Sequence, residues 1–253
     1  MDVSVVIPAL NEAENVEPLA REIAAAMAPT GRRFEIIFVD DGSDDATPAR
    51  VTALMADLPM LRLIRHARRY GQSAGVRTGV LAASGTWIAT LDGDRQNDPA
   101  DIPAMLALVE GANPPAMVAG ERVKRRDPLE KRLASRFGNW IRNAMLKDGV
   151  RDTGCGLKLF RRDVYLLLPY FDHMHRFLPA LVRRQGEQVV TAPVNHRPRP
   201  AGISKYGTLD RLAVGVTDLL GVWWLIRRSR FPVELVGEPA PAEPTPMVTD
   251  ARA

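Results

Sequence analysis

The chain has 253 residues and a mass of 27.9 kDa, with 46% hydrophobic and 25% charged residues; this leaves room for one large α/β domain or two small ones and excludes a miniature stapled scaffold, wholesale disorder and a polytopic membrane protein. Its net charge of +4 is unevenly spread, since residues 1–120 carry 10 basic against 16 acidic side chains, residues 121–162 carry 13 against 5, and the remainder carries 11 against 9. Cys155 stands alone, which excludes an internal disulfide and a cysteine-based zinc site and makes a reducing compartment the expectation.

The opening segment does not read as a secretory signal, because residues 3–10 are few, follow Asp2 rather than a basic stretch, and contain Pro8; an intracellular start is expected. Residues 3–7 are a β-branched run ending at that proline and predict a strand, and the periodicity of residues 12–27 predicts the helix after it. The same pair recurs at 34–39 with 46–58, at 61–64 with 72–83, and at 86–91 with 99–109, and residues 117–119 add a strand. Four such units predict a mainly parallel sheet, hence an α/β fold. Beyond Gly120 the alternation stops. Residues 128–147 read as a helix with Leu129, Leu133, Phe137, Ile141 and Met145 on one face, followed by a strand at 157–160, a helix at 175–185 and a strand at 187–192. Leu209, Leu212, Val216, Leu219, Leu220 and Trp223 form one apolar face of a last helix, with Trp224, Arg227, Arg228 and Arg230 after it. Its most apolar stretch, residues 212–226, is 15 residues long and contains Asp218, short of the ~20 that cross a bilayer. Tryptophan beside arginine suits a helix lying in the headgroup plane, and packing on the core is the competing expectation. The expected organisation is a catalytic domain over 1–207, a membrane-interface helix over 208–230 and a disordered, proline-rich tail over 231–253.

Ligands of parallel sheets sit beyond the carboxyl ends of the strands. The residues there are Pro8, Asn11 and Glu12 after the first strand, Asp40, Asp41, Gly42, Ser43 and Asp45 after the second, and Asp92, Gly93, Asp94, Gln96, Asn97 and Asp98 after the fourth. Asp92-Gly93-Asp94 puts two carboxylates on one turn with Gln96 beside them. Mg²⁺ or Mn²⁺ is held in this way, by carboxylates together with substrate phosphates and water. Capping of the helix entered at Pro99 accounts for Asp98 but not for Asp92 or Asp94. In Asp40-Asp41-Gly42-Ser43 the turn and the next helix cap use part of the set, and one acid remains able to accept from the N–H groups of a nucleotide base. The basic block of residues 121–162 is either a solvated face or a surface for a phosphate, a polyanion or an anionic membrane. The glycines of residues 71–79 lack the Lys-Ser/Thr ending of a phosphate loop.

Val6-Ile7-Pro8-Ala9-Leu10-Asn11-Glu12, Val39-Asp40-Asp41-Gly42-Ser43-Asp44-Asp45 and Leu91-Asp92-Gly93-Asp94-Arg95-Gln96-Asn97-Asp98-Pro99, in this order, closely resemble glycosyltransferase family 2. Within that family the chain resembles the dolichyl- and polyprenyl-phosphate sugar transferases, through Asp152-Thr153-Gly154-Cys155-Gly156-Leu157-Lys158-Leu159-Phe160 and the segment from His196-Arg197-Pro198-Arg199 to Ser204-Lys205-Tyr206-Gly207. The resemblance covers about residues 3–228. It implies a GT-A fold, a nucleotide-diphosphate sugar donor, and Mg²⁺ or Mn²⁺. In that reading Pro8, Asn11, Glu12 and Asp41 serve the nucleotide, Asp92 lies by the ribose or the metal, and Asp94 with Gln96 binds the metal. Arg122, Arg132 and Ser135 would face the lipid phosphate, and Arg199, Ser204 and Lys205 the donor diphosphate. Mannose or glucose is the first donor expected, with a polyprenyl phosphate acceptor and peripheral attachment at the cytoplasmic membrane face. Many relatives carry transmembrane helices after the catalytic domain, and this sequence shows no such segment.

A phosphate monoester, with a second pKa near ~6, is mostly a dianion at neutral pH and needs cations rather than a general base. Two alternatives stay open. A saccharide hydroxyl as acceptor would need a carboxylate base such as Asp152. A basic nucleic-acid-binding module lacks its companions, since neither an aromatic-interleaved basic strand nor a recognition helix accompanies the charge; no nucleic acid partner is expected. The sugar, the nucleotide base, the lipid length and the oligomeric state stay undetermined by sequence.

Overall fold

Val and Ile occupy both sides of the pleat in β1 (Val3–Ala9) and β2 (Phe34–Asp40), a pattern that requires both sheet faces to be covered. The computed structural model describes residues 1–123, 141–198 and 208–229. It contains a seven-stranded sheet in the order β3-β2-β1-β4-β6-β5-β7. β1 pairs in parallel with β2 and β4 (Trp87–Thr90), and β2 with β3 (Leu61–Arg65). β6 (Lys158–Arg161) runs antiparallel between β4 and β5 (Met117–Arg122), and β7 (Val189–Val194) lies parallel to β5.

The strand period of two sends alternate residues to opposite faces. On one face Val5, Ile7, Ile36 and Phe38 pack with Val16, Leu19 and Ile23 of α1 (Ala13–Met27) and with Ile102, Met105 and Leu106 of α4 (Ile102–Ala107). On the other, Val6, Ile37, Val39 and Ile88 pack with Val76 and Val80 of α3 (Gln72–Ala82) and with Leu178 and Leu181 of α7 (Leu178–Arg184). Gly79 lets α3 close onto β1, because any Cβ there would overlap Val6. Between these lie α2 (Thr47–Leu54), the helical residues 141–146 (α5) and α6 (Arg162–Leu166).

The expected helix at 99–109 divides into a 3-10 turn, Pro99–Asp101, and α4, with Asp98 capping the turn through Ala100 N–H at 3.0 Å. The one expected at 175–185 begins at Leu178, after a 3-10 turn at Met174–Arg176 that His173 enters with a positive φ of 61°. Of the helix expected at 128–147, only the end falls among the described residues, and the tail expected at 231–253 lies outside them.

α8 (Thr208–Arg227) revises the expected single apolar face. Val222 is buried, and Leu219, Trp223, Leu225 and Ile226 pack against the second core cluster, whereas Val216, Leu220 and Trp224 are exposed. At 3.6 residues per turn, neighbours such as Leu219 and Leu220 diverge by about 100°, so one set docks while the other faces outward.

Candidate active site

β1, β2 and β4 run in parallel and end at one edge, where short polar residues take over from the apolar runs. Asp41 is buried there, and its carboxylate accepts from Tyr70 N–H (2.8 Å) and Gly71 N–H (2.7 Å) and meets His66 Nδ1 at 2.7 Å. It staples the loop after β3 to the end of β2. These three contacts use most of the about four acceptor positions on a carboxylate. Asn11, at φ 52°, clips the next loop: its Nδ2 donates to Asp44 Oδ1 (2.6 Å), its Oδ1 accepts from Asp44 N–H (3.0 Å), and its backbone N–H donates to Ser43 Oγ (2.9 Å). Glu12 accepts from Asn15 Nδ2 at 2.6 Å, and its Cγ lies beside Gly93.

Asp92 follows β4 directly. Its Oδ1 accepts from Gln72 Nε2 at 2.7 Å, and its backbone N–H donates to Asn97 Oδ1 at 3.2 Å. Burial, together with the neighbouring Asp94 carboxylate, pushes its pKa up to about 6 against the pull of Lys158 and Arg122. Asp94 is itself buried and accepts from Gln96 N–H at 3.1 Å. Arg95, between them in sequence, takes φ 59° and turns outward to Glu22 at 2.5 Å. Two like charges forced together in a buried turn are relieved by a divalent cation. Asp92 and Asp94 therefore fit Mg²⁺ or Mn²⁺, and Gln96 is tied to them through its backbone N–H on Asp94. Among the described residues no three of His, Cys, Asp and Glu gather as a metal-binding group, so further ligand oxygens fall to substrate and water. Gly156 is required opposite, since a Cβ there would overlap the Asp92 carboxylate.

Arg122, at the end of β5, makes a bidentate pair with Asp152, Nε to Oδ2 at 2.6 Å and Nη2 to Oδ1 at 2.7 Å, while its backbone N–H donates to Asp152 Oδ2 at 3.3 Å. Burial opposes the guanidinium charge, but the bonds and charge of Asp152 outweigh it and raise the Arg122 pKa. Buried Arg142 donates to Thr153 Oγ1 and the Val150 carbonyl and lies 3.6 Å from Asp148. Burial lowers the Arg142 pKa and raises that of Asp148. These two cations of the basic block thus organise their own segment. Arg132, Ser135, Arg199, Ser204 and Lys205 lie outside the described residues.

A cleft of about 350 Å³ opens beside Asp92, and Pro8, Gln72, Thr153 to Gly156, Lys158, His175 and Arg176 are among the residues that line it. Lys158, His175 and Arg176 escaped the sequence reading. Lys158 is buried and donates to the Cys155 carbonyl; burial lowers its pKa. His175 Nδ1 lies 2.7 Å from Ser73 Oγ, and burial, reinforced by Lys158 and Arg176, holds its pKa well below the usual value. Lys158 carried a signal, a charge set among the apolar strand residues Leu157, Leu159 and Phe160. His175 and Arg176 carried none, because only the tertiary fold brings their turn to α3. Burial pushes the Cys155 thiol up, away from a reactive thiolate.

The model of glycosyl transferase family 2 matches residues 4–168. The chain is 36% identical over 245 residues to the dodecaprenyl-phosphate galacturonate synthase of Rhizobium johnstonii, covering 94% of this chain and 71% of that protein. It is 34% identical over 210 residues to the undecaprenyl-phosphate 4-deoxy-4-formamido-L-arabinose transferase of Edwardsiella ictaluri, covering 82% of this chain and 63% of that protein. A solved structure of similar fold is glucosyl-3-phosphoglycerate synthase from Mycobacterium tuberculosis in complex with Mg²⁺ and uridine diphosphate, at a TM-score of 0.67 and 16% identity, covering 89% of this chain and 79% of that one.

Proposed function

This chain belongs to glycosyl transferase family 2 and is a glycosyltransferase, and on that premise we propose that it moves one sugar from a nucleotide-diphosphate sugar to a polyprenyl phosphate. The observation that carries the reading is the Asp92-Gly93-Asp94 turn, whose Asp92 lines one cleft together with Lys158 and Arg176. The names of the two relatives, both polyprenyl-phosphate sugar transferases, support the acceptor.

The nucleotide lies along Pro8, Glu12 and Asp41, on the rim that Asn11 clips in place. Asp92, Asp94 and Gln96 would hold Mg²⁺ or Mn²⁺, which when bound offsets the charge developing on the leaving nucleoside diphosphate. The acceptor phosphate arrives ionised. One of its oxygens forms a bond to the anomeric carbon while the bond from that carbon to the diphosphate breaks, and the electron pair leaves with the nucleoside diphosphate. In-line attack inverts the anomeric centre. No proton has to be removed, so Asp152 serves by orienting Arg122 toward the acceptor phosphate, alongside Arg132 and Ser135. Arg199, Ser204 and Lys205 serve the donor diphosphate. Mannose and glucose are the first donors to test.

Attachment to the membrane is peripheral, at the cytoplasmic face. Among the described residues no helix is long and apolar enough to cross a membrane. The exposed stripe of Val216, Leu220 and Trp224 is bordered by Arg227, which lies 4.3 Å from the Trp223 ring, and Arg228, which lies 5.9 Å from the Trp224 ring. Apolar side chains beside cations are the composition that binds an anionic headgroup layer reversibly.

The test is incubation with Mn²⁺, a short polyprenyl phosphate and a panel of radiolabelled nucleotide sugars, followed by organic extraction. Label entering the organic phase is expected. Label reaching only oligosaccharide acceptors would overturn the reading in favour of a saccharide hydroxyl.

A further inference from the structure

We propose that His175 binds substrate through a fixed Nε2–H donor: Ser73 holds the ring so that this proton serves a phosphate oxygen in the cleft beside Asp92. The phosphate is one of the two that the reaction proposed above brings together, and its identity rests on that reaction; the state of the ring does not.

Ser73 lies on the first turn of α3 and is fully buried. Among the described residues its Oγ takes part in two hydrogen bonds, one with His175 Nδ1 at 2.7 Å and one from the His175 backbone N–H at 3.3 Å. The second bond uses the oxygen as acceptor. The hydroxyl proton then has one destination, Nδ1, because a buried O–H turned elsewhere would be left unsatisfied. Burial and the charges of Lys158 and Arg176 keep the imidazole unprotonated, and an unprotonated ring that accepts at Nδ1 carries its own proton at Nε2. Ser73 thus selects the tautomer from 102 positions away in sequence.

Among the described residues the Nε2–H has no partner, yet it is not sealed from solvent. His175 lines the cleft together with Asp92, Lys158 and Arg176, so a ligand entering there meets the ring by its free donor. Any oxygen accepts from such a donor, and the cleft holds protein acceptors too. The charged and titratable groups that act on this ring, however, are Lys158 on β6 and Arg176 and His173 on its own turn. A donor in cationic surroundings favours an anionic oxygen. The lysine ammonium supplies charge on a flexible stem, whereas an imidazole N–H fixed by a buried hydroxyl supplies direction. The donor diphosphate and the acceptor phosphate both offer such an oxygen, and the experiment separates them.

The tautomer is read on the whole chain by long-range proton–nitrogen NMR correlation, with His175→Gln assigning the signal. A protonated Nε2 and a bare Nδ1 are expected in the wild type, and a mixture of tautomers in Ser73→Ala. The wild-type spectrum needs no substitution, so it decides the tautomer even if Ser73→Ala fails to fold. UDP and GDP are then titrated calorimetrically with Mn²⁺, and initial rates are taken against polyprenyl phosphate. A hydrogen bond to a charged group corresponds to about ten- to hundred-fold in affinity. His175→Leu, which keeps no side-chain donor, should weaken the nucleoside diphosphate or raise the KM for polyprenyl phosphate by about that factor, and His175→Gln, which keeps an N–H, should recover most of the loss. Loss with the nucleoside diphosphate upholds the proposal with the oxygen on the donor; loss confined to the KM upholds it with the oxygen on the acceptor. An Nδ1–H tautomer in the wild type overturns the proposal. So does equal weakening in the Leu and Gln variants, which is the mark of packing alone, or weaker binding of nucleotide sugars with neither the bare diphosphate nor the acceptor affected, which would give the Nε2–H to a sugar hydroxyl. Weaker nucleoside diphosphate binding in His175→Leu, with no transfer to polyprenyl phosphate by the wild type, upholds the proposal and rejects the acceptor reading instead.

Discussion

Asp152→Asn separates a base from a bracket. The carboxylate and the Arg122 guanidinium are 8% and 15% exposed and share two short bonds. The amide keeps one oxygen and turns an N–H₂ toward the guanidinium, which leaves a buried cation uncompensated at a cost of about 3–5 kcal/mol. At about 2–4 °C per kcal/mol for a domain of this size, the melting temperature should fall by roughly 6–20 °C. In the assay with polyprenyl phosphate, a loosened Arg122 should raise the acceptor KM by about tenfold while kcat at saturation changes by less than that, below the 10²–10⁴ range of a general base. Arg122→Gln should raise the acceptor KM at least as much, and the double variant should be no worse than the poorer single one, because both changes break one unit. The reasoning is refuted if kcat of Asp152→Asn collapses by about 10² or more while Arg122→Gln is indifferent and the melting temperature is unmoved.

Gly156→Ala should cost about 1–3 kcal/mol of stability and about 10²-fold in kcat/KM, because its Cβ displaces the Asp92 carboxylate; steady-state kinetics beside thermal melts would decide it. Asp94→Ala should abolish Mn²⁺ binding in the presence of nucleoside diphosphate, read by calorimetry, and chelator should silence the wild type until Mn²⁺ or Mg²⁺ is restored. Leu220→Glu or Trp224→Glu should release the protein from anionic vesicles in a sedimentation assay, with little change in melting temperature, since both side chains are exposed. His175 is kept neutral by burial and flanking cations, whereas the unfolded chain protonates it near its usual value of 6.5. The unfolded state therefore binds the extra proton, and stability falls as pH drops below about 6.5, by at most about 1.4 kcal/mol per unit. Urea midpoints at pH 7.5 and 5.5 should show a smaller fall in His175→Gln, and this difference between the two proteins cancels the opposite contribution of Asp92.

The four β-α units were legible because each strand is a short, mainly apolar run followed by turn residues and a helical period, and the edge they share follows from parallel pairing. The direction of β6 was not legible. Leu157 to Phe160 reads the same whichever way it runs, and only its partners β4 and β5 decide. α6 was missed because five residues give too little periodicity. At the site, the Asp92-Gly93-Asp94 turn was visible as chemistry without a structural excuse. The partners of Asp41 were not, since the N–H groups of Tyr70 and Gly71 belong to backbone that no residue pattern advertises. α8 was seen as a helix but not resolved into its docked and outward sides, which depend on what lies beneath it.

The reversed strand has one more consequence. Because β6 runs against its neighbours, the chain leaves the sheet at Arg122 and returns to it at Lys158 on the same edge, and the Arg122–Asp152 pair clasps the two ends of that excursion across thirty positions. A segment tied off at its base can change length at little thermodynamic expense, about 0.6 kcal/mol for each doubling. Changes of length between the clasped ends leave the register of β4, β5 and β6 untouched so long as Leu146 and Val150 keep their places in the second core cluster and Arg142 its bond to Thr153. Evolution can thus rework whatever that excursion meets while inheriting the edge where β1, β2 and β4 end, and a chimera that swaps residues between Arg122 and Asp152 while keeping Arg142, Leu146 and Val150 has a natural pair of splice points.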